Sequence, residues 1–361
     1  MTLTPPPKQH LWIWFASIGL FYLTWLFLLQ TEGAWQAAKD HWPIAFAMAI
    51  GSYAAGSTPM GGGTVGFPVL VLLFDLPATL GRDFSFAVQS IGMVSASIFI
   101  LARRQPLASA MLKGALIGAL FGTPIGLVFL APLIPELWIK LTFAVLWGSF
   151  GVLHLYRINE IASNVGMTEF DEHWDLKVGF AIGLTATLLA VSVTGVGIDM
   201  ALYVALVLLC RTDLKIAIPT SVIIMAFTSV YAVIIKSLTG SWQPGVYENW
   251  LAAAPVVALG APLGVFVVQL IKRKPTLLVV SVLCVGQFVW TCFSERANLG
   301  VIGLLTAVLA LCACLLVFEY LRSLGLRLVA AARVKNEVKS LDSGNLMVVD
   351  VRSRPAQHEL E

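Results

Sequence analysis

The sequence predicts an all-α polytopic membrane protein made of two inverted repeats. Each repeat is a re-entrant broken-helix hairpin plus three transmembrane helices, with an extra N-terminal and an extra C-terminal span. Three observations predict this. Of the 361 residues, 58% are hydrophobic and 12% charged, and the mean hydropathy is +0.86, whereas a soluble domain is about 25% charged. Several apolar runs exceed the roughly 18 residues that a helix needs to cross a bilayer, and the short alternating segments of a membrane barrel are missing. Two apolar stretches are broken in the middle by glycine-rich runs, GSTPMGGGTVG (56–66) and SVTGVGID (192–199).

The elements follow in order. Residues 1–10 form a polar lead. Segment 11–29 reads as the first span, placing an N-terminal transmembrane helix within 1–30. Lys8 before it and Gly33–Ala34 after it also suit a signal peptide, but its length and Trp12, Trp14 and Trp25 favour a retained helix. Residues 31–42 read as interfacial. The first repeat, 43–156, holds a hairpin (43–58, break, 65–74) and spans at 84–102, 108–131 and 136–156. Residues 157–177 form a polar loop with five acids, Glu160, Glu169, Asp171, Glu172 and Asp175. The second repeat, 178–293, holds a hairpin (178–192, break, 200–210) and spans at 215–236, 249–271 and 275–293. Span 298–320 and a polar, basic tail, 321–361, close the chain.

Internal similarity supports the duplication. GTPIG (122–126) and GAPLG (260–264) lie 138 positions apart, and GGGTVG (61–66) and GVGIDM (195–200) lie 134 apart. The 134 spacing sets Val196 against Gly62, and Ser90 falls opposite Thr220 or Ser221 with a small gap. At 1.5 Å per residue, 65–74 covers about half of a roughly 30 Å apolar core, so it turns back rather than crossing. Three full spans per repeat is an odd number, so the second repeat is inverted. With the N-terminus in the cytoplasm, 18 of the 23 Lys and Arg fall inside and five outside. By the positive-inside rule both termini and loop 157–177 are cytoplasmic, in a protein of the cell membrane.

Backbone at membrane depth survives only where it is packed in protein or lines a wet cavity. A helix restarting after a break offers N–H groups at the positive end of its dipole, which suits an anion. The predicted binding set is Ser57, Thr58, Gly61, Gly62, Gly63 and Thr64 at the first break and Thr194, Gly195 and Gly197 at the second. Ser90, Thr220 and Ser221 stand on neighbouring spans. No Lys or Arg is evident at the breaks, so dipoles and hydroxyls carry recognition. Asp199 is either a proton or coupling-ion site, as acids at membrane depth often are, or the cap of the next half-helix. Gln89, Ser95, Ser97, Thr228 and Ser229 either face a polar path or serve as interhelical glue. Asp75, Arg82 and Asp83 read as rim residues, Lys113 and Lys236 as snorkelling anchors, and His154 as interfacial. The GTPIG and GAPLG glycines read as close-packing positions.

The chemistry excluded is as informative. The five cysteines form no C-x-x-C pair or Cys/His cluster, and His154 and His173 have no partners at metal spacing. No disulfide framework, metal site, cofactor or nucleic-acid partner is expected. No catalytic Cys/His or Ser/His set is visible, so the chain does not read as an enzyme.

The residues GSTPMGGGTVGFPVL (56–70), SVTGVGIDMALYVAL (192–206), AIPTSVII (217–224) and the GTPIG/GAPLG pair resemble the TauE/SafE sulfite exporter family over about residues 43–293. The resemblance implies a secondary transporter of sulfite, sulfoacetate and related organosulfur anions. The expected function is export of a small sulfur oxyanion or organosulfonate of the sulfite, sulfoacetate or thiosulfate class across the cytoplasmic membrane. The anion would bind at the midplane between the two breaks, with proton coupling possible. The alternatives are an anion channel or a membrane component of a sulfur-transfer system. The tail NLMVVDVRSRPAQHELE (345–361) resembles the opening strand of a rhodanese domain, which implies a rhodanese-like partner or fusion. It also reads as a polar tail with a short strand-like run. The sequence ends before any loop that could carry the cysteine of such a domain.

Overall fold

Nine helices among the described residues are long and apolar enough to cross a membrane. The computed structural model describes residues 10–168, 170–270 and 273–342, all helix, turn or loop with no strand. The rhodanese-like stretch 345–361 lies outside the described residues.

α1 (Leu11–Leu28) is followed by the short α2 (Ala34–Asp40). The first hairpin is α3 (Trp42–Ser57) and α4 (Gly63–Pro68), which runs on through a π-helical turn, Val69–Leu73. Then come α5 (Ala78–Ala102), α6 (Ser109–Ile125, running on to Leu133) and α7 (Glu136–Ala162). The second hairpin is α8 (Glu172–Ala186), which passes through a π-helical turn into α9 (Ser192–Thr194), then α10 (Ile198–Val204), which continues to Leu209. α11 (Leu214–Thr239), α12 (Val246–Leu270), α13 (Arg273–Ser294) and α14 (Arg296–Asp342, kinked at Gly300) complete the chain.

Three boundaries differ from the sequence reading. The 157–177 loop shrinks to 163–171, because α7 runs to Ala162 and α8 starts at Glu172. The last span does not stop at 320: α14 stays helical to Asp342. The first arm of the second hairpin, Glu172–Thr194, has 23 residues, about 34 Å of helix, and so is not too short to span. Only its return arm, Ile198–Leu209, is short, at about 18 Å.

Contacts place the hairpin bases at opposite ends of the bundle. At one end, Glu136 of α7 accepts from the Ala78 and Thr79 N–H groups that open α5, just after the first hairpin. Lys140 pairs with Glu295 there at 2.6 Å. At the other end, Arg211, just past the second hairpin, pairs with Glu160 of α7, and the Asp213 N–H donates to the Gly166 carbonyl at 2.7 Å. The two return arms finish alike. Asp75 and Arg211, 136 positions apart, both take a positive φ (53° and 54°). The flanking amides repeat the same bonds, Phe74 to Val69 and Leu76 to Leu70, then Cys210 to Ala205 and Thr212 to Leu206.

The hairpin arms pack through glycine. Cβ atoms placed on Gly114, Gly118 and Gly122 of α6 would stand 2.2–2.4 Å from α8 atoms, among them the carbonyls of Leu176, Phe180 and Leu184. Those on Gly179 and Gly183 of α8 would meet the Met111 and Ala115 carbonyls. α3 and α12 repeat the arrangement, with Gly56 against the Ala261 carbonyl and Gly264 against that of Tyr53. Without a hydrophobic force between helices in lipid, such close backbone approach supplies the cohesion. The GTPIG and GAPLG glycines are therefore packing positions, as expected.

Proline in a helix leaves the carbonyl four residues back without its donor, and at membrane depth that group needs another. Neighbouring side chains provide it. Pro255 frees Leu251, whose carbonyl accepts from Trp25 Nε1 at 3.0 Å. Pro262 frees Ala258, which accepts from Ser95 Oγ at 2.7 Å. Pro124 frees Leu120, bonded by Tyr231 Oη at 3.4 Å. Ser95 thus acts as interhelical glue, and it also accepts from Trp14 Nε1 of α1. α1 has no buried residue, and it and α14 present Trp12, Phe15, Leu23, Ile302 and Leu309 outward, an apolar surface suited to acyl chains.

Candidate functional site

The two breaks meet inside the bundle. α3 stops at Ser57 because Thr58 precedes Pro59 and is driven to extended backbone (φ −134°, ψ 167°). At the second break Gly195 (φ 82°) and Gly197 (φ 117°) are left-handed, a conformation that glycine takes without strain. The first tip has no such need. Gly62 is helical at φ −56°, and Gly61, Gly62 and Gly63 are not among the positive-φ glycines. The value of Gly61 and Gly63 lies in close approach.

Asp199, wholly buried, joins the tips. Its Oδ2 accepts from the Gly61 N–H at 2.5 Å, and its Oδ1 accepts from the N–H groups of Met200 (2.9 Å) and Gly197 (3.2 Å). The carboxylate therefore combines a local cap of α10 with a bond across to the first hairpin. It sits on the backbone donors that the sequence assigns to an anion.

α5 flanks both tips. Gln89 Nε2 donates to the Ser85 and Gly195 carbonyls at 2.8 and 3.0 Å, while its Oε1 is buried without a partner. The point where a Cβ on Gly61 would stand is 1.8 Å from Gln89 Oε1 and 3.2 Å from Asp199 Oδ2. A Cβ on Gly63 would stand 2.5 Å from Ser85 Oγ and 2.8 Å from Val196 Cγ1. Gly62 alone has ordinary room, its nearest neighbour being Met48 Cε at 3.5 Å. Beside it is a void of about 10 Å³ bordered by Ser52, Gln89 and Val257, about the least that admits one water. The tips are closed upon each other, with that void too small for an oxyanion.

The hydroxyls divide. Ser57 donates to the Tyr53 and Ala54 carbonyls, Thr58 to Ala54 and Thr194 to Ala190. These protons are engaged within their own helices. Thr64 Oγ1 is buried without a partner, which leaves its proton available. Ser221 donates to the Ile218 carbonyl. Thr220 accepts from the Ala108 N–H and donates to Ile216, so it holds the start of α6. Ser90 borders a separate cavity of about 620 Å³ lined also by Trp242, Gln243 and Glu248.

The return arms end alike at a spacing of 136. Carried along those arms and into α5 and α11, that spacing would set Gly197 opposite Gly61, Asp199 opposite Gly63 and Ser221 opposite Ser85. It differs there from the 134 that sets Val196 against Gly62. Ser85 escaped the sequence reading, although this register points to it.

Four further residues differ from expectation. Arg82 and Asp83 are enclosed in the bundle rather than exposed, and Lys236 does not snorkel: they are 5%, 0% and 4% exposed. Asp83 pairs with Arg82 at 3.1 Å and with Lys236 at 2.7 Å. His154 is not interfacial. It is wholly buried, stacked on Phe150 and Tyr203, with Nε2 2.9 Å from Tyr203 Oη. No group of three or more His, Cys, Asp or Glu suited to a metal occurs among the described residues.

A family model described as "Sulfite exporter TauE/SafE" matches residues 44–291, more than half of the chain and both breaks. No curated protein and no solved structure matches the chain.

Proposed function

Because the chain belongs to the sulfite exporter TauE/SafE family, a family of multi-pass membrane transporters, we propose that it exports a small sulfur-containing anion of the sulfite, sulfoacetate or thiosulfate class, bound at the midplane between the two helix breaks. The observation that carries this is Asp199. One carboxylate collects N–H donors from both tips, which supports reading the tips as an anion cradle. Donors leading into α10 lie at the positive end of its dipole, and the free Thr64 hydroxyl adds another. Substrate and Asp199 compete for these groups. Protonation of Asp199 weakens its hold on them, and the unpartnered Gln89 Oε1 is an acceptor beside the carboxylate for the proton. Proton uptake thereby frees the cradle for substrate.

The hairpins, based at opposite ends and meeting tip to tip, suit inverted repeats that open alternately around a fixed site. The closed tips favour a carrier over a channel. Arg103, Arg104, Arg157, Arg211 and Lys215 gather at the end that holds the second hairpin, which supports a cytoplasmic reading of that end and of both termini in a cell-membrane protein. The test is flux of sulfite, thiosulfate and sulfoacetate in proteoliposomes with and without a pH gradient. Saturable flux with countertransport supports a carrier. Non-saturating flux indicates a channel, and no flux of any of the three overturns the reading.

A further inference from the structure

We infer that Arg82, Asp83 and Lys236 form a second anion site, a station at the α5 end of the bundle through which the transported anion reaches or leaves the tips. The inference rests on the transport reading above but on separate residues. Arg82 lies in the second turn of α5 and Lys236 near the end of α11. The cluster has two formal positive charges against one negative. Asp83 Oδ1 takes Arg82 Nε at 3.1 Å, and Oδ2 takes Lys236 Nζ at 2.7 Å and the Gln243 N–H at 3.1 Å. Arg82 Nη1 is left buried without a partner. An unmatched buried charge is costly unless a counter-charge joins it, and a small oxyanion would supply both the charge and the acceptor.

The position fits traffic to the tips. Arg82, Ser85 and Gln89 follow one another along α5 at helical spacing. The Arg82 carbonyl is 2.6 Å from the point where a Cβ on Gly195 would stand. On its other side the cluster meets the 620 Å³ cavity through Trp242 and Gln243. Lys236 Nζ lies 5.9 Å from the Trp242 ring centroid. The cavity also carries Glu248, whose charge disfavours an anion in the open lobe. The resting place is therefore the cation cluster.

Calorimetric titration of sulfite into the purified full chain at low ionic strength tests this. Wild type is expected to show two binding events per chain. Arg82→Gln removes one, Arg82→Lys keeps it, and Lys236→Gln, which leaves a neutral Arg82–Asp83 pair, removes the same one. Asp83→Asn tightens that event by about ten-fold or more, since it removes a negative charge a few ångströms away. A purely structural cluster would only lower the melting temperature in Asp83→Asn. An unchanged number of events in folded Arg82→Gln, or no tightening in Asp83→Asn, overturns the inference. Asp199→Asn is the control for the tips. If it alters neither event while Arg82→Gln still removes one, the tip reading fails and the cluster site stands.

Discussion

The carboxylate of Asp199 and the amide of Gly61 lie 2.5 Å apart across 138 positions of sequence. This bond ties the second hairpin to the first. At the proposed midplane site a substrate anion would meet an anion already in place, and transport there would depend on how that carboxylate is neutralised or moved.

Asp199→Asn keeps the shape of the side chain and removes its charge. Exchange of sulfite should persist, and proton-driven accumulation should vanish. Apparent affinity should lose its pH dependence and settle at the value that wild type reaches at low pH. The measurement is sulfite accumulation and exchange in proteoliposomes over pH 5–8. A pH dependence like that of wild type, with only a lower melting temperature, would mean that the carboxylate serves as a cap alone.

Gly61→Ala and Gly62→Ala should behave differently. A Cβ on Gly61 falls 1.8 Å from Gln89 Oε1, and Gln89 cannot retreat without breaking its bonds to Ser85 and Gly195. Breaking them costs on the order of 1–3 kcal/mol for buried groups left unpaired. A Cβ on Gly62 meets nothing closer than 3.5 Å. Sulfite flux should therefore fall ten-fold or more in Gly61→Ala, about the effect of 1.4 kcal/mol, and stay near wild type in Gly62→Ala. Equal fluxes would show that the tips separate more widely than this geometry implies.

Gly197→Ala tests backbone rather than space. Its would-be Cβ has one neighbour, Ala190 Cβ at 3.2 Å, but its φ of 117° is one that alanine takes only with strain of order 1–3 kcal/mol. The second tip should reshape and the Asp199 contacts weaken. The check is a melting-temperature drop larger than that of Gly62→Ala, together with reduced sulfite affinity.

Topology is open to a direct test. A single cysteine at position 165, on a cysteine-free background, should resist an impermeant thiol reagent added outside intact cells and react after permeabilisation. One at position 241 should react from outside. External labelling at 165 would reverse the orientation and with it the direction assigned to export.

The sequence by itself determined the class of molecule and where its helices fail. Apolar runs too long for a soluble core, glycine runs inside them, and Pro59 after Thr58 are local facts, and local sterics translate them into spans and breaks. The glycine spacing of GTPIG and GAPLG was likewise enough to predict close packing. Tertiary structure decided the rest. Whether Asp199 faces Gly61 and whether Arg82 and Lys236 share Asp83 depend on how helices far apart in sequence are brought together. A lysine near the end of a span reads the same whether it snorkels or turns inward; the partner that holds it, Asp83, lies 153 positions away. Burial of charge is a property of neighbours, and neighbours of this kind are set by the packed bundle and not by the local chain.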